Sequence, residues 1–151
     1  MEILIFLFHA AVPVSGEHFG RGDADPDGPL YTHVRSVAYC SGALLATRRE
    51  LFRSLGGFDA AYRPAYYEDS DFCFSVRSSG LGVYYQPDAA VVHAEGATSG
   101  TDLTSGPKRH QVSNRVTFAR KWKGVLGDLP EPPARYTVAT WHRLAALERV
   151  G

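Results

Sequence analysis

Shortly after Pro64 the chain reads Tyr66-Tyr67-Glu68-Asp69-Ser70-Asp71-Phe72-Cys73, which sets three carboxylates into four consecutive positions at the start of what reads as a helix. Acidic residues in a first turn complement the positive end of the helix macrodipole, so capping alone accounts for part of the cluster. Crowded carboxylates also resist ionising together. They are costly unless a cation, a helix N-terminus or a proton-transfer task uses them. Side chains three apart share a helical face, so Glu68 and Asp71 are expected to meet while Asp69 is free to face a pocket ahead of the helix. The pattern predicts a helix over 68–79, with Phe72, Cys73 and Val76 inward and Gly80 supplying the left-handed exit.

Downstream, Val83-Tyr84-Tyr85-Gln86 and Ala90-Val91-Val92-His93 read as strands around a Pro87-Asp88 turn. The glycine- and hydroxyl-rich residues 94–106 predict a mobile loop. Val112, Val116, Ala119 and Trp122 then recur at helical spacing and predict an amphipathic helix to about residue 123. Upstream, residues 34–47 suggest two extended pieces joined by a tight bend at Ser41-Gly42. Thr47-Arg48-Arg49-Glu50 fits a capping box, Leu51, Phe52 and Leu55 give the following helix an apolar face, and Gly56-Gly57 ends it. Residues 13–30 have the punctuation of an irregular loop, and a last helix is expected over 138–149.

The length of 151 residues and 44% hydrophobic content suit one domain with a real core. Sixteen basic and sixteen acidic residues cancel, which argues against nucleic acid as a partner of the whole molecule. The distribution is uneven. Lys108, Arg109, Arg115, Arg120, Lys121 and Lys123 fall between positions 107 and 123 with no acid among them. A mobile loop leading into a basic helix has the makings of a clamp for a phosphorylated ligand, and a solvated basic face is its plainer reading. Cys40 and Cys73 lack metal or redox spacing and are expected to be buried, reduced thiols, in keeping with a cytoplasmic address. The apolar opening from Met1 to Phe8 is far below a membrane span and has Glu2 where an export signal would be basic. Asp23-Ala24-Asp25, in a turn-rich stretch, reads as turn chemistry rather than a metal motif. His93 ends an apolar strand where ligands often bind, yet one histidine cannot hold a metal alone. Tyr62, Tyr66, Tyr67, Tyr84 and Tyr85 suit either a sugar-stacking platform or ordinary packing.

Taken in order, these pieces resemble the C-terminal, acceptor-side part of a family 2 glycosyltransferase of the rhamnosyltransferase-like kind. The resemblance rests on Tyr39-Cys40-Ser41-Gly42-Ala43, on Arg49-Glu50-Leu51-Phe52 with Leu55-Gly56-Gly57-Phe58-Asp59, on Tyr66-Tyr67-Glu68-Asp69-Ser70-Asp71, on Val83 to Pro87, on Val91-Val92-His93-Ala94-Glu95-Gly96 and on Asn114-Arg115. It implies a partial GT-A-like α/β fold, a mixed sheet flanked by helices, and an inverting transfer of a sugar from a nucleotide-diphosphate donor to a glycan or lipid-linked acceptor in bacterial surface polysaccharide synthesis.

By the same resemblance Asp69 is the general base, supported by Glu68 and Asp71. Ser41, Gly42 and Tyr67 line the acceptor pocket, and Lys108, Arg109 and Arg115 close over the diphosphate. His93 is implied as a ligand of a divalent metal, Mn²⁺ or Mg²⁺, where a donor half supplies the rest of the site. That half, with its DxD motif, should lie before residue 35, and the sequence has no room for it there. The expected organisation is an irregular segment 1–34, an acceptor-side unit 35–123 and an extension 124–151 with its own helix. A separate donor-half polypeptide is then an expected partner, peripheral contact with the inner face of a membrane is compatible with it, and an incomplete sheet predicts self-association. Two rival readings are a noncatalytic carbohydrate- or protein-interaction module and a metal-dependent hydrolase built on His93.

Overall fold

The structure is a computed structural model that describes residues 31–91, 102–127 and 129, together with the backbone of residues 3–4. Three short strands, β1 (Ile3–Leu4), β2 (Arg35–Ser36) and β3 (Val83–Tyr85), form one sheet in the order β1-β3-β2. β3 pairs in parallel with β1 and antiparallel with β2, where Arg35 lies opposite Tyr85. The sheet is therefore mixed, and the α/β expectation holds for these residues. Among the described residues four α-helices accompany it: α1 (Arg49–Ser54), α2 (Glu68–Ser78), α3 (His110–Lys121) and α4 (Lys123–Gly127).

α2 is the central element. Phe72, Cys73, Phe74 and Val76 are all almost inaccessible to solvent, so the helix is covered on more than one side. On one flank Phe72 meets Phe52 of α1 and Phe58, with ring centroids 5.1 and 6.0 Å apart. On the other, Phe74 meets Phe118 of α3 at 5.0 Å and Trp122 at 5.4 Å. Burial of each such side chain contributes about 1.5–3 kcal/mol. The helix ends as expected, with Gly80 at φ +80°. Arg77 ties it back to the sheet side by donating from Nη1 to the Val37 carbonyl at 3.1 Å.

Cys40 and Cys73 are fully buried and in contact. The Cys40 amide donates to Cys73 Sγ at 3.4 Å. The hydrogen bond between the two thiols, followed by burial, pushes the Cys40 thiol well above its usual range.

Several local expectations are corrected. The bend at Ser41-Gly42 is a 3₁₀ turn over Gly42–Leu44, opened by the Ser41 side chain accepting from the Ala43 amide, and no strand follows it. The capping box at α1 does not form: Arg48 is the N-cap without a side-chain cap, and the Thr47 hydroxyl oxygen is buried without a partner. Gly56 and Gly57 do supply the left-handed exit, at φ +85° and +71°. Ala90 and Val91 lie outside any strand. Val92, His93, residues 94–101, the Asp23-Ala24-Asp25 stretch and the expected helix over 138–149 fall outside the described residues.

The largest correction concerns α3, whose existence is read correctly and whose face is not. Val112 and Val116 are 61% and 63% exposed, while Asn114 and Phe118 are buried. Phe118 packs between Tyr67 and Phe74. Asn114 finds three backbone carbonyls to satisfy, and together these outweigh the burial of two valines. Trp122 does turn inward, half-buried against Phe74.

Candidate active site

The carboxylate cluster is delivered by an unusual loop. Tyr66 and Tyr67 both adopt left-handed conformations, at φ +79° and +74°, which side chains larger than glycine adopt only where the surroundings enforce it. The enforcing group is Asn114. Its Nδ2 donates to the carbonyls of Tyr62, Ala65 and Tyr66 at 2.7, 2.8 and 3.1 Å. A buried side-chain amide thus takes up carbonyls that the tight loop would otherwise leave unpaired. The Arg63-Pro64 peptide in the same loop is cis.

Tyr67 is the N-cap of α2, and the next residues fan out in three directions. Asp69 points back toward the 3₁₀ turn, where its Oδ2 accepts the Gly42 amide at 2.7 Å. Its Oδ1 accepts the Ser70 amide at 2.6 Å and the Ser70 hydroxyl at 3.2 Å. A carboxylate oxygen offers two lone pairs, so Oδ1 is fully engaged and Oδ2 keeps one acceptor direction open.

Asp71 turns the other way, into the protein, and is 2% exposed. Its Oδ1 accepts from the Tyr62 hydroxyl at 2.8 Å and Trp122 Nε1 at 2.7 Å, and its Oδ2 accepts from Lys121 Nζ at 2.9 Å. Lys121 also reaches Asp59 at 2.9 Å. Burial pulls the Lys121 ammonium down, but its hydrogen bonds to Asp59 and Asp71 outweigh this and leave it raised. Asp71 is a structural bolt joining α2, the Ala60–Tyr62 turn and the end of α3.

Glu68 lies on the third side, partly buried, with Oε2 lacking a partner. Burial raises its carboxyl above the ordinary value; the Asp69 charge adds to this, and backbone amides oppose it. The hydrogen bonds of Asp71 run to other groups and not to Glu68, contrary to the expected meeting of the two. The reason is that Asp71 is claimed by Tyr62, Trp122 and Lys121.

Two tyrosines stand within electrostatic reach of Asp69. The Tyr39 hydroxyl is pushed well up, by burial first and by the Asp69 charge second. The Tyr67 hydroxyl is raised by burial, with the Arg115 guanidinium opposing and the Asp69 charge adding. Arg115 of α3 thereby joins the surroundings of Tyr67 and Asp69. Lys108 stands apart from the carboxylate, its Nζ 5.0 Å above the Tyr66 ring, and the Arg109 Nε lies 3.2 Å from His110 Nε2. Tyr62 and Tyr85 are core residues, which dissolves the suggested five-tyrosine platform.

No group of three histidine, cysteine, aspartate or glutamate side chains among the described residues is arranged to hold a metal ion. The described part of the site thus does not itself fit a divalent cation, and His93 lies outside it. Sequence reasoning missed Tyr39 and Ser70 as neighbours of Asp69 and Asn114 as the holder of its loop. A signal for the last was present: Asn114, Phe118 and Trp122 recur every fourth residue, a stripe parallel to that of the valines.

A carboxylate at a helix head, with one oxygen saturated and the other open toward a glycine turn, defines a site able to take a proton from a hydroxyl. Residues 22–110 match the glycosyltransferase like family 2, and the chain belongs to that family. It is 33% identical over 90 residues to an N-acetylglucosaminyl-diphospho-decaprenol L-rhamnosyltransferase of Mycobacterium tuberculosis, matched in two strains, which covers 60% of this chain and 29% of the relative. It is also 31% identical over 84 residues to an uncharacterized protein of Sinorhizobium fredii, covering 55% of this chain and 9% of that protein. The chain thus spans well under a third of the length of the curated relatives it matches. No solved structure matches it.

Proposed function

We propose that residues 35–123 form the acceptor side of a GT-A-like glycosyltransferase site that transfers a sugar with inversion from a nucleotide-diphosphate donor. The single observation that carries this reading is the Asp69 carboxylate, tethered by the Gly42 and Ser70 amides and open at Oδ2. In the reaction the acceptor hydroxyl oxygen bonds to the anomeric carbon from the face opposite the diphosphate. The bond from that carbon to the phosphate oxygen breaks, and the hydroxyl proton passes to Asp69 Oδ2.

Glu68 is the nearest further acid, positioned to hydrogen-bond acceptor hydroxyls or tune Asp69. Asp71 acts through packing, since its oxygens are occupied. Ser41, Gly42 and Tyr67 line the approach to Oδ2, while Lys108, Arg109 and Arg115 supply positive charge for the diphosphate. The Mn²⁺ or Mg²⁺ expected from the family belongs in this reading to His93 and to donor-side ligands. The name of the rhamnosyltransferase relative, with its diphospho-decaprenol acceptor, supports a lipid-linked acceptor; surface polysaccharide synthesis at the inner face of a membrane is the setting of this reading.

The test is Asp69→Asn, assayed for transfer with the chain joined to a donor-side partner carrying a DxD motif. Removal of a general base costs roughly 100-fold or more in turnover, with little change in folding. Unchanged turnover would sink the role given to Asp69. Calorimetry supplies the contrast: binding of nucleotide sugar that requires Mn²⁺ supports an enzyme, whereas glycan binding indifferent to metal favours a noncatalytic module.

A further inference from the structure

The outward face of α3 pairs aliphatic and cationic groups, and the transfer reading leaves its two valines, Arg120 and Lys123 unused. Val112 and Val116, one helical turn apart, are the centre of that face and lie opposite the buried Asn114 and Phe118. Arg115 and Arg120 are exposed alongside them, with Arg109 just before the helix and Lys123 just after it. The stretch from Pro107 to Lys123 contains no acid. Of its six cations, Lys121 is engaged by Asp59 and Asp71, Lys108 lies over the Tyr66 ring and Arg109 donates from Nε to His110 Nε2 at 3.2 Å. Arg109, Arg115, Arg120 and Lys123 are exposed, so the chain's net charge of zero conceals a local positive strip.

We propose that this face docks on an anionic phospholipid surface. The layering of the two partners matches. Long arginine and lysine stems lie along an apolar boundary and carry their charges outward to phosphates, while a central aliphatic pair meets the acyl region beneath the headgroups. A nucleic acid would use the cations but gain nothing from two valines at the centre of the strip, where base recognition calls for polar or aromatic groups. Docking also has a geometric consequence for the site. The inner face of the same helix holds the loop before Asp69 through Asn114, so the carboxylates would lie about one helix diameter, roughly 10 Å, from the lipid surface.

The proposal does not depend on transfer activity and is tested without it. The full chain is sedimented with vesicles of phosphatidylcholine alone and of phosphatidylcholine with one quarter phosphatidylglycerol, at low and high salt. Partitioning is expected to be about tenfold stronger on the anionic vesicles and to fall at high salt. The double variant Val112→Ser with Val116→Ser and the double variant Arg120→Gln with Lys123→Gln should each reduce it severalfold. All four side chains are exposed, so far-ultraviolet circular dichroism should confirm unchanged folding. Arg53→Gln, an exposed cation on α1, should leave it unchanged. Equal binding to neutral vesicles, no binding to either, or full retention in the valine variant would each overturn the proposal, as would complete displacement from the anionic vesicles by RNA at equal phosphate concentration.

Discussion

The backbone amide of Gly42 donates a 2.7 Å hydrogen bond to Oδ2 of Asp69, across 27 positions of sequence. This contact fixes which way the first acid-rich turn of α2 faces. It can be removed without altering the Asp69 carboxylate. Gly42 opens a 3₁₀ turn, where proline is tolerated, and Ser41 at φ −72° and ψ 140° already has the conformation required before a proline. A Cβ at position 42 would come no nearer than 3.4 Å to Asp69, an ordinary contact. Gly42→Ala should therefore keep the tether and Gly42→Pro lose it. Urea unfolding is expected to show Gly42→Pro about 1 kcal/mol less stable than Gly42→Ala, the scale of a solvent-accessible hydrogen bond to a charged group. Coincident midpoints would show that the amide does not restrain Asp69.

Asn114 predicts a larger effect. Asn114→Ala strips the donor from three loop carbonyls and should cost about 2–4 kcal/mol, combining lost hydrogen bonds with the left-handed strain they maintain. Asn114→Asp should be at least as harmful, because it sets a carboxylate against carbonyl oxygens. If thermal unfolding of Asn114→Ala stays within about 1 °C of the parent, the Tyr66-Tyr67 conformation is held by something else.

Asp71 separates charge from shape. Asp71→Asn retains an oxygen for Tyr62 and Trp122 but turns an amide toward the Lys121 ammonium, while Asp71→Ala abandons all three donors. Lys121 is partly exposed and can turn to water, so the expected losses are about 1–2 kcal/mol for Asn and about 3 kcal/mol or more for Ala. Denaturant midpoints in the reverse order would contradict the division of labour between Oδ1 and Oδ2.

Glu68 gives a pH dependence. Burial, then the Asp69 charge, raises its carboxyl above the ordinary 4.5. A raised folded value means that the folded state binds the proton more tightly. This contribution is complete below the ordinary value and lost as pH rises through the raised one. Gln cannot ionise and lacks that decline. Whatever its offset in acid, Glu68→Gln should gain stability relative to the parent as pH rises above the ordinary 4.5. A difference that stays constant as pH rises would show Glu68 to be as well solvated when folded as when unfolded.

Legibility in the sequence followed the range of the forces involved. The span of α2, its Gly80 exit and the inward Phe72, Cys73 and Val76 were readable because they depend on neighbours within a turn. The Thr47 capping box also looked local and does not form, and the valine face of α3 was overruled by distant partners. The carbonyls of Tyr62, Ala65 and Tyr66 recruit Asn114 from about fifty residues away, and no local pattern records that demand. The three acids illustrate the same limit. Their presence at a helix head was plain, whereas their assignment to Gly42, to the Lys121 bolt and to a half-buried edge required the fold.

The two thiols carry a practical consequence. Cys40 lies two positions before Gly42 and Cys73 four after Asp69, and no other cysteine exists in the chain. Both are fully buried, so a thiol-reactive dye can reach them only when the packing behind the Gly42–Asp69 contact opens. Without any engineered label, the rate at which such a dye reacts is a clock for how often the scaffold of the carboxylate site comes apart.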